Sequence, residues 1–132
     1  MGSFQFEIPA EFSKQLSQHL DVFDKVAPKM IEAATPILKD SIKKKAPKKS
    51  GELIESVGIK KPKKTKTGAY ISTVVFEGYD SKTGTPNALK AAVAEFGTSE
   101  KDPKPFVRPA VAETEKEITQ KMQDVFNAEV ER

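Results

Sequence analysis

Ala69-Tyr70-Ile71-Ser72-Thr73-Val74-Val75-Phe76-Glu77-Gly78 is the stretch that decides the fold. It concentrates β-branched and aromatic residues, which suit a pleated and half-buried surface, and it reads as a strand. Ser56–Lys61 upstream is a second strand-like run, and an antiparallel hairpin joins the two. Between them, Lys60 to Thr67 sets five lysines around Pro62, the composition of an exposed and mobile hairpin loop.

Helical patterns lie on both sides of this hairpin. Phe12, Leu16, Leu20 and Phe23 recur at spacings of four, four and three, and Pro9 suits a first helical turn, so an amphipathic helix is expected over roughly Pro9–Val26. His19 flanks its apolar stripe as a packing residue. Pro28 would remove a backbone donor from a continuous helix. A break is therefore expected near Ala27, with a second helix from about Lys29 to Lys45 whose apolar positions are Met30, Ile31, Ala34, Ile37, Leu38 and Ile42. Ala46-Pro47 ends it, because a residue before proline avoids the helical region. At the start of the chain, Phe4, Phe6 and Ile8 alternate with polar residues, as in a short strand or an apolar arm.

Downstream, Ala88–Phe96 reads as a short apolar helix capped by Gly97. Thr98–Arg108 is irregular, and Pro109 opens a long terminal helix to about Glu129, with Val111, Ile118, Met122, Val125 and Phe126 along one face. The expected fold is α+β: a small antiparallel sheet with a β-hairpin, packed against a long helix in the N-terminal half and a long C-terminal helix. The 132 residues suit one domain, with 1–27 as an N-terminal arm and helix and 28–132 as the core.

Composition removes several function classes. With no cysteine and a single histidine, the chain has no disulfide framework, thiol nucleophile, thiolate metal site or histidine-rich metal site. Neither GxGxxG, GxxxxGK[ST] nor GxSxG occurs, so no phosphate cradle or nucleophile elbow is expected. The expectation is a protein that is not an enzyme and takes no cofactor or metal. No window is apolar enough for a membrane span, and the N-terminus lacks a signal-peptide pattern, so synthesis in the cytoplasm is expected.

The charge is polarised. Lys43 to Lys66 carries ten lysines against Glu52 and Glu55, whereas the segment from Glu113 onward carries six acids against three bases. Such asymmetry suits nucleic acid or head-to-tail contact between copies of one chain. The basic residues Lys60, Lys61, Lys63, Lys64 and Lys66 include no arginine, so bidentate base readout is absent, and a solvated loop or simple electrostatic contact with protein is favoured over DNA.

Three short motifs stand in register: Ala46-Pro47…Ser50-Gly51-Glu52-Leu53…Ser56, then Glu95-Phe96-Gly97-Thr98, then Pro105-Phe106-Val107-Arg108-Pro109-Ala110. Over roughly residues 29 to 130 the chain resembles the gene-ten-product-like family of head–tail joining and tail-completion proteins of lambdoid siphophages. Met1–Ala27 is longer than that family pattern, and Lys60–Lys66 is more basic. The resemblance implies a structural virion protein at the head–tail junction, a connector, neck or tail-completion protein that assembles as a ring. The partners it implies are other neck or tail proteins: connector, tail terminator or tail tube. The alternative is a nucleic-acid-binding accessory protein using Lys43–Lys66. Three prolines stiffen the segment around Phe106 and Arg108, which makes Phe106 an interface anchor or a plug of its own core, and Arg108 an ion-pairing or carbonyl-binding residue. Glu95 and Phe96 complete the expected interface.

Overall fold

The central strand alternates as its sequence predicts. The computed structural model describes residues 4–7, 20–48 and 51–130. Along β4 (Tyr70–Phe76), Tyr70, Ser72, Val74 and Phe76 are buried, while the residues between them are half-buried. β1 (Phe4–Glu7) pairs antiparallel with one edge of β4, Phe4 opposite Val74 and Glu7 opposite Ile71, so the start of the chain is a strand. The expected helix over Pro9–Val26 lies outside the described residues as far as His19.

The other edge of β4 is taken by β2 (Val57–Ile59) and then β3 (Lys63–Lys64). From Ile59 to Lys63 the chain advances four residues while its partner advances three, from Val74 to Ile71. The extra residue is a bulge around Pro62, which has no N–H to give to a ladder. This revises the expected loop over Lys60–Thr67. Lys60 N donates to Thr73 O at 2.9 Å, Lys63 and Lys64 pair with β4, and the turn itself is confined to Thr65–Ala69. The five lysines are exposed, but only Lys66 lies in the turn: Lys63 and Lys64 are on the strand, and Lys60 and Lys61 lead into it. Lys64 is further held by Asp24 Oδ1 at 2.9 Å, which also accepts from the Tyr70 hydroxyl at 2.7 Å. The Lys64 ammonium and then the Tyr70 hydroxyl hold the Asp24 carboxyl below its ordinary value.

The expected break near Ala27 does not occur. α1 (Leu20–Lys45) is one helix of 26 residues that runs through Pro28 and Pro36. An interior proline costs about 3 kcal/mol, but burying one large apolar side chain returns about 1.5–3 kcal/mol. Val26, Met30, Ile31, Leu38 and Ile42 are all fully buried around the two prolines, so packing outweighs the lost backbone bonds. Pro36 itself faces solvent. Pro36→Ala is therefore expected to restore a helical hydrogen bond and raise stability by about 1–3 kcal/mol, reduced somewhat by the freer unfolded chain. A lower melting temperature in this variant would show that the proline is needed.

α2 (Glu52–Glu55) is a single turn before β2, and α3 (Asn87–Phe96) follows the sheet. α4 (Val107–Val130) lies along α1 and covers it. It starts two residues before Pro109, which still falls in the first turn, where its missing N–H has no partner to lose. The core forms two clusters along α1. One joins Leu38, Ile42 and Ala46 to Leu53, Phe76 and Phe106, and the other joins Met30 and Ile31 to Tyr70 and Met122. Among the described residues no helix is long and apolar enough to cross a membrane.

Candidate functional site

The second and third motifs meet at one buried carboxylate. Glu95 lies in the last turn of α3 and is 0% exposed. Its Oε1 accepts from the N–H groups of Phe106 and Val107, both at 2.8 Å. Its Oε2 accepts from Arg108 N at 3.1 Å and Arg108 Nε at 2.9 Å. The Arg108 Nη2 donates to the Glu95 backbone carbonyl at 3.0 Å. The carboxylate thus caps α4, taking N–H groups that have no partner inside the helix. Burial is the strongest single influence on this carboxyl and pushes it up, but the N–H groups of Val107, Phe106 and Arg108 together with the Arg108 side chain outweigh it and hold Glu95 below its ordinary 4.5.

The turn between these residues is equally constrained. Gly97 has φ +73° and ψ −178°, and its N–H donates to Val93 O. Thr98 Oγ1 accepts from Glu100 N and Lys101 N, and Thr98 N donates to Lys101 O at 2.9 Å. Lys104 N donates to Ala94 O at 2.7 Å and closes the segment onto α3. The first motif is also structural. Ala46 and Leu53 are buried, Gly51 takes φ +75°, and Ser56 Oγ donates to Leu53 O at 2.6 Å.

The four residues expected at an interface are divided by the fold. Phe106 is 1% exposed and meets Phe76 edge to face at 5.7 Å, so it plugs its own core and is no exposed anchor. Glu95 is likewise inward and serves the helix start. Phe96 is 59% exposed, and the Arg108 guanidinium lies over its ring at 5.4 Å. The Arg108 side chain is 61% exposed although its head is fixed. Phe96 and Arg108 therefore form the outward part of the site, and Arg108 is tied to the fold rather than being a loose surface arginine.

Sequence reading missed the groove beside this corner. It is open, about 1040 Å³, and lies between the end of α1, α2, α3 and the 101–105 segment. Leu53, Leu89, Val93 and Pro105 give it an apolar lining. Lys45, Lys90, Lys101 and Lys104 stand around it, with Asp102 as the acid. Lys45 pairs with Glu113 and Lys90 with Asp80, both at 2.7 Å, whereas Lys101 and Lys104 have no ion-pair partner among the described residues. The available signal was α3 itself: Ala91 and Glu95 face the core, yet Leu89 and Phe96 on the other side are also large and apolar. A helix apolar on two faces has a second surface to cover.

The exposed lysines of the hairpin are not part of this corner. Replacing Lys60, Lys61 and Lys63 by glutamine is expected to shift stability by less than about 0.5 kcal/mol, since exposed charges contribute little. A large drop in melting temperature would show that they are packed. Among the described residues no group of His, Asp or Glu is arranged to hold a metal ion.

The family model described as "Bacteriophage HK97-gp10, putative tail-component" matches residues 10–97. The match begins well before residue 29, so most of the N-terminal segment belongs to the shared pattern, and it ends at Gly97, before the Phe106–Arg108 motif. No curated protein and no solved structure matches the chain.

Proposed function

Because the chain belongs to the HK97-gp10-like family of phage tail components, we propose that it is a structural, non-enzymatic part of the virion that acts at the head–tail junction as a ring. The observation that carries this reading is the rigid corner built on Glu95. Four hydrogen bonds to one buried carboxylate hold the end of α3 against the start of α4, and that arrangement leaves Phe96 and Arg108 outward in one fixed geometry. A preset aromatic–arginine pair loses little entropy on docking, which suits an assembly contact. Charge polarity adds support. Five exposed lysines cluster on the hairpin, while exposed Glu113, Glu117 and Asp124 fall at helical spacing along one ridge of α4, which also carries Lys116 and Lys121. Opposite charges on separate surfaces favour heterologous contacts, which close into rings when the rotation permits.

The test is genetic and structural. Disrupting the gene in the phage or prophage that encodes the chain should leave heads and tails accumulating unjoined, and the protein should be found in particles restored by complementation. Normal infectious particles without the chain would overturn the reading. Steep salt-dependent DNA binding by the purified protein, with no incorporation into particles, would favour the nucleic-acid alternative.

A further inference from the structure

The groove beside α3 has a complement on the same molecule. Tyr79 is 70% exposed, the most exposed of the large apolar side chains among the described residues. The loop that carries it is rigid. Asn87 N donates to Gly78 O at 3.0 Å, and Asn87 Nδ2 donates to Glu77 O at 2.9 Å. Asp80 Oδ1 accepts from Lys82 N and Thr83 N, and its Oδ2 accepts from Lys90 Nζ at 2.7 Å. The Lys90 ammonium and then the Lys82 and Thr83 N–H groups pull the Asp80 carboxyl down to about 2. Around Tyr79 stand Glu52, Glu55 and Glu77, which line one recess with it. Glu55 and Glu77 are exposed and have no ion-pair partner among the described residues. The molecule thus bears an aromatic projection ringed by glutamates, and an apolar groove edged by lysines.

We propose that Tyr79 of one copy of this chain enters the groove beside Leu89 and Val93 of the next copy, with Glu55 and Glu77 facing Lys101 and Lys104. The occupant is a second copy because the chain supplies both halves: an exposed aromatic beside Glu55 and Glu77 on one surface, and an apolar groove beside Lys101 and Lys104 on the other. Leu89 is 40% exposed, so apolar area in the groove is left for a partner to cover. A fixed loop orders nothing new when tyrosine docks, and the tyrosine hydroxyl can stay at the wet margin near the lysines. Where the contact is not reciprocated within one pair of copies it is heterologous, and then it repeats from copy to copy. The proposal rests on the ring reading above and names the surfaces that would make it.

The chain has no cysteine, which makes a clean test available. Y79C and L89C proteins are prepared separately, and both positions are exposed enough for each variant to fold. Under mild oxidation, the mixture of the two should give a crosslinked pair well above the yield of either protein alone. In sedimentation at low salt and rising concentration, the wild-type protein should associate, and Tyr79→Ser and Leu89→Lys should each weaken association at least tenfold with unchanged circular dichroism. Glu77→Lys should weaken it, and Glu77→Lys combined with Lys101→Glu should regain part of the loss. Association that ignores all these changes overturns the contact while leaving the ring reading standing. A protein that stays monomeric at millimolar concentration also overturns it, and the head–tail role is still read separately from incorporation into particles.

Discussion

Replacing Glu95 with alanine is expected to cost about 3–5 kcal/mol, the range seen when one partner of a buried charged network is removed. The side chain is buried and accepts four hydrogen bonds from Phe106 and the first two residues of α4. Phe106 and Val107 are themselves 1% exposed, so their N–H groups have no water to turn to. Each buried donor left without a partner costs about 1–3 kcal/mol. Against a total stability of about 5–15 kcal/mol for a domain, this is a large share, and the melting temperature should fall by roughly 10–20 °C. Arg108→Ala should cost less, because the side chain is 61% exposed and the three N–H groups still hold the carboxylate.

The same residue sets an acid limit. The Glu95 carboxyl sits below its ordinary 4.5 in the folded protein. A group depressed on folding contributes stability that is complete above its unfolded value and is lost as pH falls through the folded one. Stability of the wild-type protein should therefore decline below about pH 4.5, and Glu95→Gln, which cannot titrate, should decline less steeply over that window. Denaturant midpoints between pH 5 and pH 2 check this, and equal slopes for the two proteins would remove Glu95 from the acid transition.

Replacing Gly97 with valine is expected to be comparably severe, at about 3 kcal/mol or more, from two additive causes. The first is conformational. At φ +73° and ψ −178° the backbone occupies a region open to glycine almost alone, and strain of about 1–3 kcal/mol follows for any side chain. The second is contact. A Cβ would stand 2.8 Å from both Lys101 O and Pro103 N, backbone atoms that cannot swing aside. Gly97→Ala already carries both penalties, so it should lose most of what valine loses. Gly51→Ala is the control, with φ +75° but open space where its Cβ would go. If Gly97→Ala and Gly51→Ala destabilise equally, the close approach at Lys101 and Pro103 contributes nothing.

Local pattern carried the secondary structure wherever one physical preference ruled. The β-branched run at Tyr70–Phe76 is the central strand, the alternation at Phe4–Glu7 is its neighbour, and the glycine after Phe96 is a helix end. These features depend on neighbours in the chain, so they are legible from it. The motifs were legible too, and the first of them and most of the second fall within the stretch that matches the phage tail-component family.

The direction in which the motif residues point was not legible. Phe106 and Arg108 sit two apart on one stiff segment, and nothing local says which turns inward. The space beside Phe76 accepts Phe106, and the buried Glu95 carboxylate draws the adjacent N–H groups and one arginine head. Both choices depend on atoms eleven to thirty positions away in sequence. Pro28 shows the same limit in reverse: its local rule predicts a break, and long-range burial along α4 overrules it. The groove has no local signature beyond a helix apolar on two sides, since its walls come from four separate segments. The sequence by itself determined the central strand, the later helices, the Gly97 cap and the family, because backbone preference and short motifs act over a few residues. Tertiary structure alone decided which carboxylate is buried, which aromatic is exposed and where an open apolar surface remains, because those follow from packing between segments distant in the chain.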